Sequence, residues 1–201
     1  MVLPDIETFA SARIETERPM TDDEFWCYCS CLPDNLRAER EPNGDIIVMP
    51  PAGGESSNRN VHIIAQLHVW AVKDGSGDAF DSNTNFVLPS GAARSPDAAW
   101  ISNARLATLT REQKRRFLPL CPEFVIELKS PSDRLPRLKA KMQEWIENGA
   151  QLGWLIDPDT RMVYIYRPGA NPDEVKNADF VAGEGPVTGF VLDLGPIWRG
   201  L

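Results

Sequence analysis

The segment from Phe124 to Lys129 places an acid and a lysine two residues apart at the end of an apolar run. Because side chains alternate along a β-strand, its apolar residues are expected to face the core, while Glu127 and Lys129 share the opposite face. A second short apolar run, residues 98–101, begins directly after Asp97. An aspartate followed by Glu-x-Lys is the order expected of a metal-dependent phosphodiesterase.

Asp97 and Glu127 are the candidate metal ligands. Magnesium prefers hard oxygen ligands and keeps several of its waters, so one or two carboxylates are enough to hold it. The metal would polarise the phosphorus–oxygen bond and lower the pKa of a bound water, while Lys129 orients that water or stabilises the transition state. Each residue also has an ordinary explanation, since an acid after proline is usually a turn or cap and a lysine at a strand end is usually solvated.

The elements that would position these residues follow from the pattern of apolar residues and turn residues. Asn43-Gly44, between residues 36–41 and 46–49, predicts a β-hairpin. Apolar residues at helical spacing from Val61 to Val72 predict a core helix that Gly75 ends. The remaining expected elements, in chain order, are strands near 79–88 and 97–102, a helix over 106–117, the strand at 124–128, a helix with apolar residues at 138–146, a strand pair at 152–156 and 162–166, and a last strand near 190–192. This order predicts an α/β fold with a mixed sheet.

Length and composition predict a single domain, because 201 residues with 42% hydrophobic content suit one core. The capping-box pattern Thr21-Asp22-Asp23-Glu24 predicts a short helix, so residues 1–34 are interpreted as an N-terminal helical extension. Residues 168–201 are interpreted as a strand-rich tail. The chain has no apolar segment of membrane-spanning length and no signal pattern at its N-terminus, which predicts a soluble, cytoplasmic protein.

The net charge of −8 argues against a general coat for nucleic acid, because such binding depends on neutralising phosphates with Lys and Arg. The charge is unevenly distributed. Between Arg111 and Lys141, nine basic and four acidic residues give a net +5, so the rest of the chain carries −13. This basic stretch is either a set of solvated helix faces or a surface that faces phosphate.

Five blocks in order resemble the Uma2 family of proposed restriction endonucleases, which belongs to the PD-(D/E)xK nuclease-like superfamily. The blocks are residues 36–40, 49–54, 94–100, 122–133 and 153–158, and the stretch that contains them, from Leu36 to Arg167, covers about two thirds of the chain. The resemblance implies a restriction endonuclease-like core with a central mixed β-sheet flanked by helices. It also implies a Mg²⁺ cofactor, with Mn²⁺ as a possible substitute, and nucleic acid as the partner.

Position by position, Asp97 and Glu127 match the metal-binding acids of the family and Lys129 matches the catalytic lysine. Glu39 matches a glutamate on the first hairpin that resembles an extra metal-site acid. Glu41 and Glu55 are nearby, so the identity of the inward-pointing acid stays open at the level of sequence.

Two functions are compatible with these residues. The first is a Mg²⁺-dependent endonuclease acting on DNA, for which a homodimer is expected because a chain of this size has one site for two strands. The second is a nuclease-fold protein that does not cut and serves as a binding or regulatory module in a mobile-element or defence system, since fold does not guarantee activity.

Overall fold

The computed structural model describes residues 11–201, which contain both strands and helices. The strands are β1 (Ala12–Ile14), β2 (Arg37–Arg40), β3 (Ile46–Met49), β4 (Gly77–Asp81), β5 (Phe86–Val87), β6 (Ala93–Arg94), β7 (Ala98–Ser102), β8 (Phe124–Leu128), β9 (Leu152–Asp157), β10 (Met162–Tyr166), β11 (Asp173–Lys176), β12 (Phe180–Ala182) and β13 (Val191–Asp193). The helices are α1 (Asp22–Ser30), α2 (Gly54–Asp74), α3 (Asn103–Ala107), α4 (Leu135–Glu147) and α5 (Gly195–Arg199).

The central sheet has six strands in the order β11-β10-β9-β8-β7-β4. β8 and β9 are parallel and are connected by α4, whereas the other neighbouring pairs are antiparallel. The sheet is therefore mixed, as predicted. A second, antiparallel sheet has the order β1-β3-β2-β6-β5 and contains the predicted hairpin β2–β3.

Helices cover both faces of the central sheet, which confirms the predicted α/β class. α2 packs on one face together with the C-terminal segment, and α4 packs on the other. Phe124, Ile126 and Leu128 of β8 belong to the core on the α2 side, whereas Val125 belongs to the core under α4. Glu127, two residues after Val125, is thereby directed toward α4, as the alternation of a strand requires.

α4 lies very close to β9 where Met142 crosses Gly153. A Cβ atom on Gly153 would collide with Cε of Met142, so the helix can approach the strand to this distance only over a glycine or after a shift of the methionine. This contact brings the inner face of α4 close to the strands that end at the candidate site.

One predicted helix is wrong. Residues 106–117 were expected to be helical, but α3 ends at Ala107 and only a 3-10 turn, Gln113–Arg115, follows. The hydroxyl of Thr108 donates to the carbonyl of Arg105, and Thr110 and Gln113 exchange two hydrogen bonds between side chains and backbone. These local bonds compete with a continuous helix.

At the N-terminal end of the described chain, β1 pairs with β3 and α1 begins with the predicted capping box. The amide of Glu24 donates to the Thr21 hydroxyl at 3.2 Å, and the Glu24 carboxylate accepts from the Thr21 amide at 2.9 Å. Residues 1–10 of the predicted extension lie outside the described residues, and the division into extension, core and tail stays a prediction. Within residues 11–201, no helix combines the length and apolar character needed to cross a bilayer.

Candidate active site

Asp97 lies in the link between the two sheets, where the chain leaves β6 and enters β7. Its Oδ2 accepts a hydrogen bond of 2.7 Å from the backbone amide of Leu128, which holds the carboxylate beside the end of β8. Its Oδ1 accepts no hydrogen bond from the residues that the structure describes. Burial raises the pKa of Asp97, and the bond from Leu128 and the nearby Lys141 offset only part of that rise.

Glu127 is buried on β8, with 3% of its surface exposed. Its Oε1 accepts a hydrogen bond of 2.8 Å from the indole nitrogen of Trp145 and lies 3.0 Å from Nζ of Lys141. Burial raises the pKa of Glu127 to about 7, because Lys141 compensates only part of the desolvation and the charges of Asp97 and Glu39 add to the rise. Negative charge at this position is therefore incompletely balanced.

Glu39 is buried on β2 and is better neutralised. Its Oε1 accepts hydrogen bonds from Nζ of Lys141 at 2.9 Å and from the amide of Ser95 at 3.0 Å, while Arg94 lies 3.7 Å from Oε2. Burial acts to raise the pKa of Glu39, but Lys141 and Arg94 outweigh it and leave the pKa below its ordinary value.

The other two acids that the sequence left open as alternatives to Glu39 point elsewhere. Glu41 forms an ion pair of 2.8 Å with Arg94, and Glu55 pairs with Arg59 at 2.8 Å on α2. Among the three, Glu39 is the acid that shares Lys141 with Glu127.

Lys141, on the inner face of α4, is the residue that the sequence prediction missed. Its ammonium contacts Glu39 and Glu127 and donates to the carbonyl of Ser95 at 3.2 Å, with 18% of the side chain exposed. Desolvation lowers its pKa, but the two carboxylates raise it above the ordinary value. The sequence spacing could have indicated this inward position. Lys141 lies three residues after Leu138 and four before Trp145, within the apolar stripe of the helix.

Within the described residues, the Lys129 ammonium makes no ion pair with Glu127. Lys129 follows the last residue of β8, and its ammonium lies 3.8 Å from Asp157, the last residue of β9, and 2.6 Å from Asp159 in the turn that follows. Asp157 is buried and also accepts from the amide of Asp159 and the hydroxyl of Thr160. Among the described residues, the ion pairs and hydrogen bonds of the Lys129 ammonium are confined to this turn.

Arg94 fixes the position of α4 against the smaller sheet. Its guanidinium donates to both carboxylate oxygens of Glu144, at 2.6 and 3.0 Å, and to Glu41 at 2.8 Å. These carboxylates and Glu39 raise its pKa against the opposing effect of burial. Because Glu144 lies one turn after Lys141 on α4, the Arg94–Glu144 pair helps to hold the Lys141 ammonium in place.

Three residues of the basic stretch from Arg111 to Lys141 lie in different surroundings. Arg116 pairs with Asp23, and the Lys139 ammonium lies 4.0 Å above the ring centre of Tyr164. Lys141 points inward, as described above. The alternative of a surface facing phosphate stays a prediction for the other basic residues of the stretch.

The oxygen donors at this site fit a Mg²⁺ ion held by two carboxylates. Glu127 Oε2, like Asp97 Oδ1, accepts no hydrogen bond from any described residue, and Asp97 is close enough to raise the pKa of Glu127. Within residues 11–201, no group of three or more His, Cys, Asp or Glu side chains is arranged to hold a metal ion. A two-carboxylate site completed by water and phosphate meets the preference of Mg²⁺, whereas the neutralised Glu39 does not add to it.

A mixed sheet covered by helices on both faces, with Glu39 of the smaller sheet and Glu127 of the central sheet sharing Lys141, defines a protein of the α/β class. The chain belongs to the Uma2 family, described as "Putative restriction endonuclease", which it matches over residues 22–195. It is also similar to a crystal structure described as "a putative nuclease belonging to DUF820" from Anabaena variabilis, with a TM-score of 0.73 and 21% identity over 90% of this chain and 98% of that chain. This likeness establishes the shared fold. No curated protein matched the chain.

Proposed function

We propose that this protein is a metal-dependent endonuclease that hydrolyses phosphodiester bonds of nucleic acid, with DNA as substrate and Mg²⁺ as the ion. The observation that supports this most directly is the state of Asp97 and Glu127. Each carboxylate has a raised pKa and one oxygen that accepts no hydrogen bond from residues 11–201. Burying carboxylates in this state costs free energy that a bound cation would recover.

The roles of the protein groups follow from their contacts. When bound, the metal would supply an activated water and polarise the scissile phosphate. Leu128 orients the Asp97 carboxylate through its amide, and Trp145 orients that of Glu127 through its indole nitrogen. Glu39 positions the Lys141 ammonium next to Glu127. Of the predicted catalytic set Asp97, Glu127, Lys129 and Glu39, the proposal retains Asp97, Glu127 and Glu39.

The family description supports nucleic acid as the partner, and the choice of DNA is part of the proposal. A homodimer is proposed because each chain contributes one such site and a double-strand break needs two. The cytoplasmic location expected from the sequence stays a prediction.

The test is cleavage of plasmid, linear and single-stranded DNA and of RNA by protein freed of metal, with and without added Mg²⁺ or Mn²⁺. Metal binding is measured separately by titration calorimetry with Mn²⁺. Asp97→Asn and Glu127→Gln are expected to lower cleavage by about 100-fold or more and to weaken Mn²⁺ binding. Glu147→Gln, at an exposed acid on α4, serves as the matched control and should behave like wild type. Metal-independent cleavage, or cleavage that survives both site substitutions, would refute the proposal.

A second function is favoured by one observation, namely that Lys141 pairs with both Glu39 and Glu127. A site that its own lysine neutralises in part could persist in a protein that binds a partner and does not cut. This alternative predicts a partner protein that co-purifies and still binds Glu127→Gln normally, together with no cleavage by wild type.

A further inference from the structure

The site contains a lysine that the Glu-x-Lys pattern does not identify. Nζ of Lys141 lies 2.9 Å from Glu39 and 3.0 Å from Glu127, so it contacts one of the two candidate metal ligands directly. Lys129, the lysine of the pattern, has its ammonium 2.6 Å from Asp159. The two lysines therefore belong to different groups of charges.

We propose that Lys141, and not Lys129, is the catalytic lysine of this site, and that its ammonium donates a hydrogen bond to an oxygen of the scissile phosphate. The inference rests on the proposed nuclease function and deepens it. Lys129 instead has a structural role, joining the end of β8 to the turn after β9 through Asp157 and Asp159.

The contacts of Lys141 suit this role. An ammonium has three donors, and those of Lys141 are directed at Glu39, Glu127 and the carbonyl of Ser95. A phosphate oxygen is a stronger acceptor than the neutral carbonyl of Ser95 and can replace it without loss of the Glu39 pair. The charge needed next to the phosphate is then already in place before the substrate arrives.

The position of Lys141 is also held from several sides. Glu144 on the next turn of α4 is fixed by Arg94, and Trp145 donates to Glu127. Met142, the neighbour of Lys141, packs against the narrow gap at Gly153. A lysine on a helix that is fixed in this way can position its ammonium as precisely as one on a strand.

The alternative is that Lys141 only balances the charge of the buried acids. The two roles are separated by Lys141→Met, which removes the charge, and Lys141→Arg, which keeps it but replaces the compact ammonium with a planar group. Lys129→Met tests the competing lysine. Lys139→Met is the matched control, because it lies on the same helix and its ammonium rests over Tyr164.

Two measurements are made on every variant of the full-length protein. The first is cleavage of plasmid DNA with Mn²⁺, and the second is Mn²⁺ affinity by calorimetry at about pH 8.5, where carboxylates are ionised. If the inference is correct, Lys141→Met lowers cleavage by about 100-fold or more and Lys141→Arg by about 10-fold or more. Lys141→Met also binds Mn²⁺ about fivefold more tightly or better, because a competing cation next to Glu127 is gone. Lys129→Met and Lys139→Met stay within about threefold of wild type in both measurements.

The results that would overturn the inference are equally specific. Loss of cleavage in Lys129→Met with retention in Lys141→Met would assign the role to Lys129. Wild-type cleavage by Lys141→Arg would reduce Lys141 to a counterion, and this variant decides the question if Lys141→Met does not fold. If wild type cuts no substrate, the proposed nuclease function fails for those substrates, and the Mn²⁺ affinities still decide which lysine lies next to the metal ligands. Tighter Mn²⁺ binding by Lys141→Met, but not by Lys129→Met or Lys139→Met, supports Lys141. Unchanged binding by Lys141→Met overturns the inference.

Discussion

Replacing Glu127 with glutamine should stabilise the protein at alkaline pH, because the buried carboxylate is unfavourable when ionised. Its pKa is raised from an ordinary value of 4.5 to about 7 in the folded protein. Since each pKa unit corresponds to about 1.4 kcal/mol, ionised Glu127 lowers the free energy of unfolding by about 3 kcal/mol relative to the protonated form. The side chain introduced by Glu127→Gln imitates the protonated form at every pH.

The direction of the pH dependence follows from proton binding. Between pH 4.5 and 7 the folded protein retains a proton on Glu127 that the unfolded chain has lost, so the contribution of this group to stability falls as pH rises through that window. The difference in free energy of unfolding between Glu127→Gln and wild type should therefore increase by about 2 to 3 kcal/mol from pH 5 to pH 8. For a chain of this size, that corresponds to about 5–10 °C in Tm.

Urea unfolding at both pH values, followed by circular dichroism, measures this difference directly. Glu147→Gln provides the control, because Glu147 is exposed and its substitution should give a difference that is independent of pH. Addition of Mg²⁺ at pH 8 should stabilise wild type and have little effect on Glu127→Gln, since binding to the native state alone raises stability. A difference between Glu127→Gln and wild type that is equal at pH 5 and pH 8 would refute the argument that burial raises this pKa.

Two further substitutions test the framework around the site. Arg94→Met should lower the free energy of unfolding by about 3–5 kcal/mol, because Glu144 and Glu41 lose a buried partner. A loss below about 1 kcal/mol in urea unfolding would show that these ion pairs contribute little. Trp145→Phe keeps a ring in the core but removes the indole donor to Glu127, so a loss of about 1–3 kcal/mol is expected at pH 8, where Glu127 is ionised. Equal stability of Trp145→Phe and wild type in the same urea titration would contradict that role.

The features of the fold that could be predicted are the ones that local sequence determines. The alternation in β8 correctly placed Phe124 and Ile126 on one side of the sheet and Glu127 on the other. The hairpin β2–β3, the helix α2 and the pair β9–β10 were also predicted, because turn residues and apolar periodicity act over a few positions.

The arrangement of the site depended on contacts that local pattern does not contain. Lys129 was expected to act beside Glu127, but its ammonium pairs with Asp157 at the end of β9 and with Asp159 in the turn that follows. Lys141 was counted as part of a basic stretch, although its place in the apolar stripe of α4 indicated an inward direction. Only the tertiary structure shows that Glu39 comes from a different sheet to meet it.

The bridge that Lys141 makes between the sheets has a consequence for how the protein matures. Glu39 and Lys141 are 102 residues apart in the chain, and Asp97 is 31 residues from the amide that holds it. Forming contacts of such separation requires the closure of long loops, which costs chain entropy. A chain shorter than 141 residues lacks the lysine. A chain in which only β8, α4 and β9 have folded contains Asp97 and Glu39, but these residues are not yet at the site. The full arrangement of Asp97, Glu127, Glu39 and Lys141 therefore exists only where both sheets and α4 have assembled.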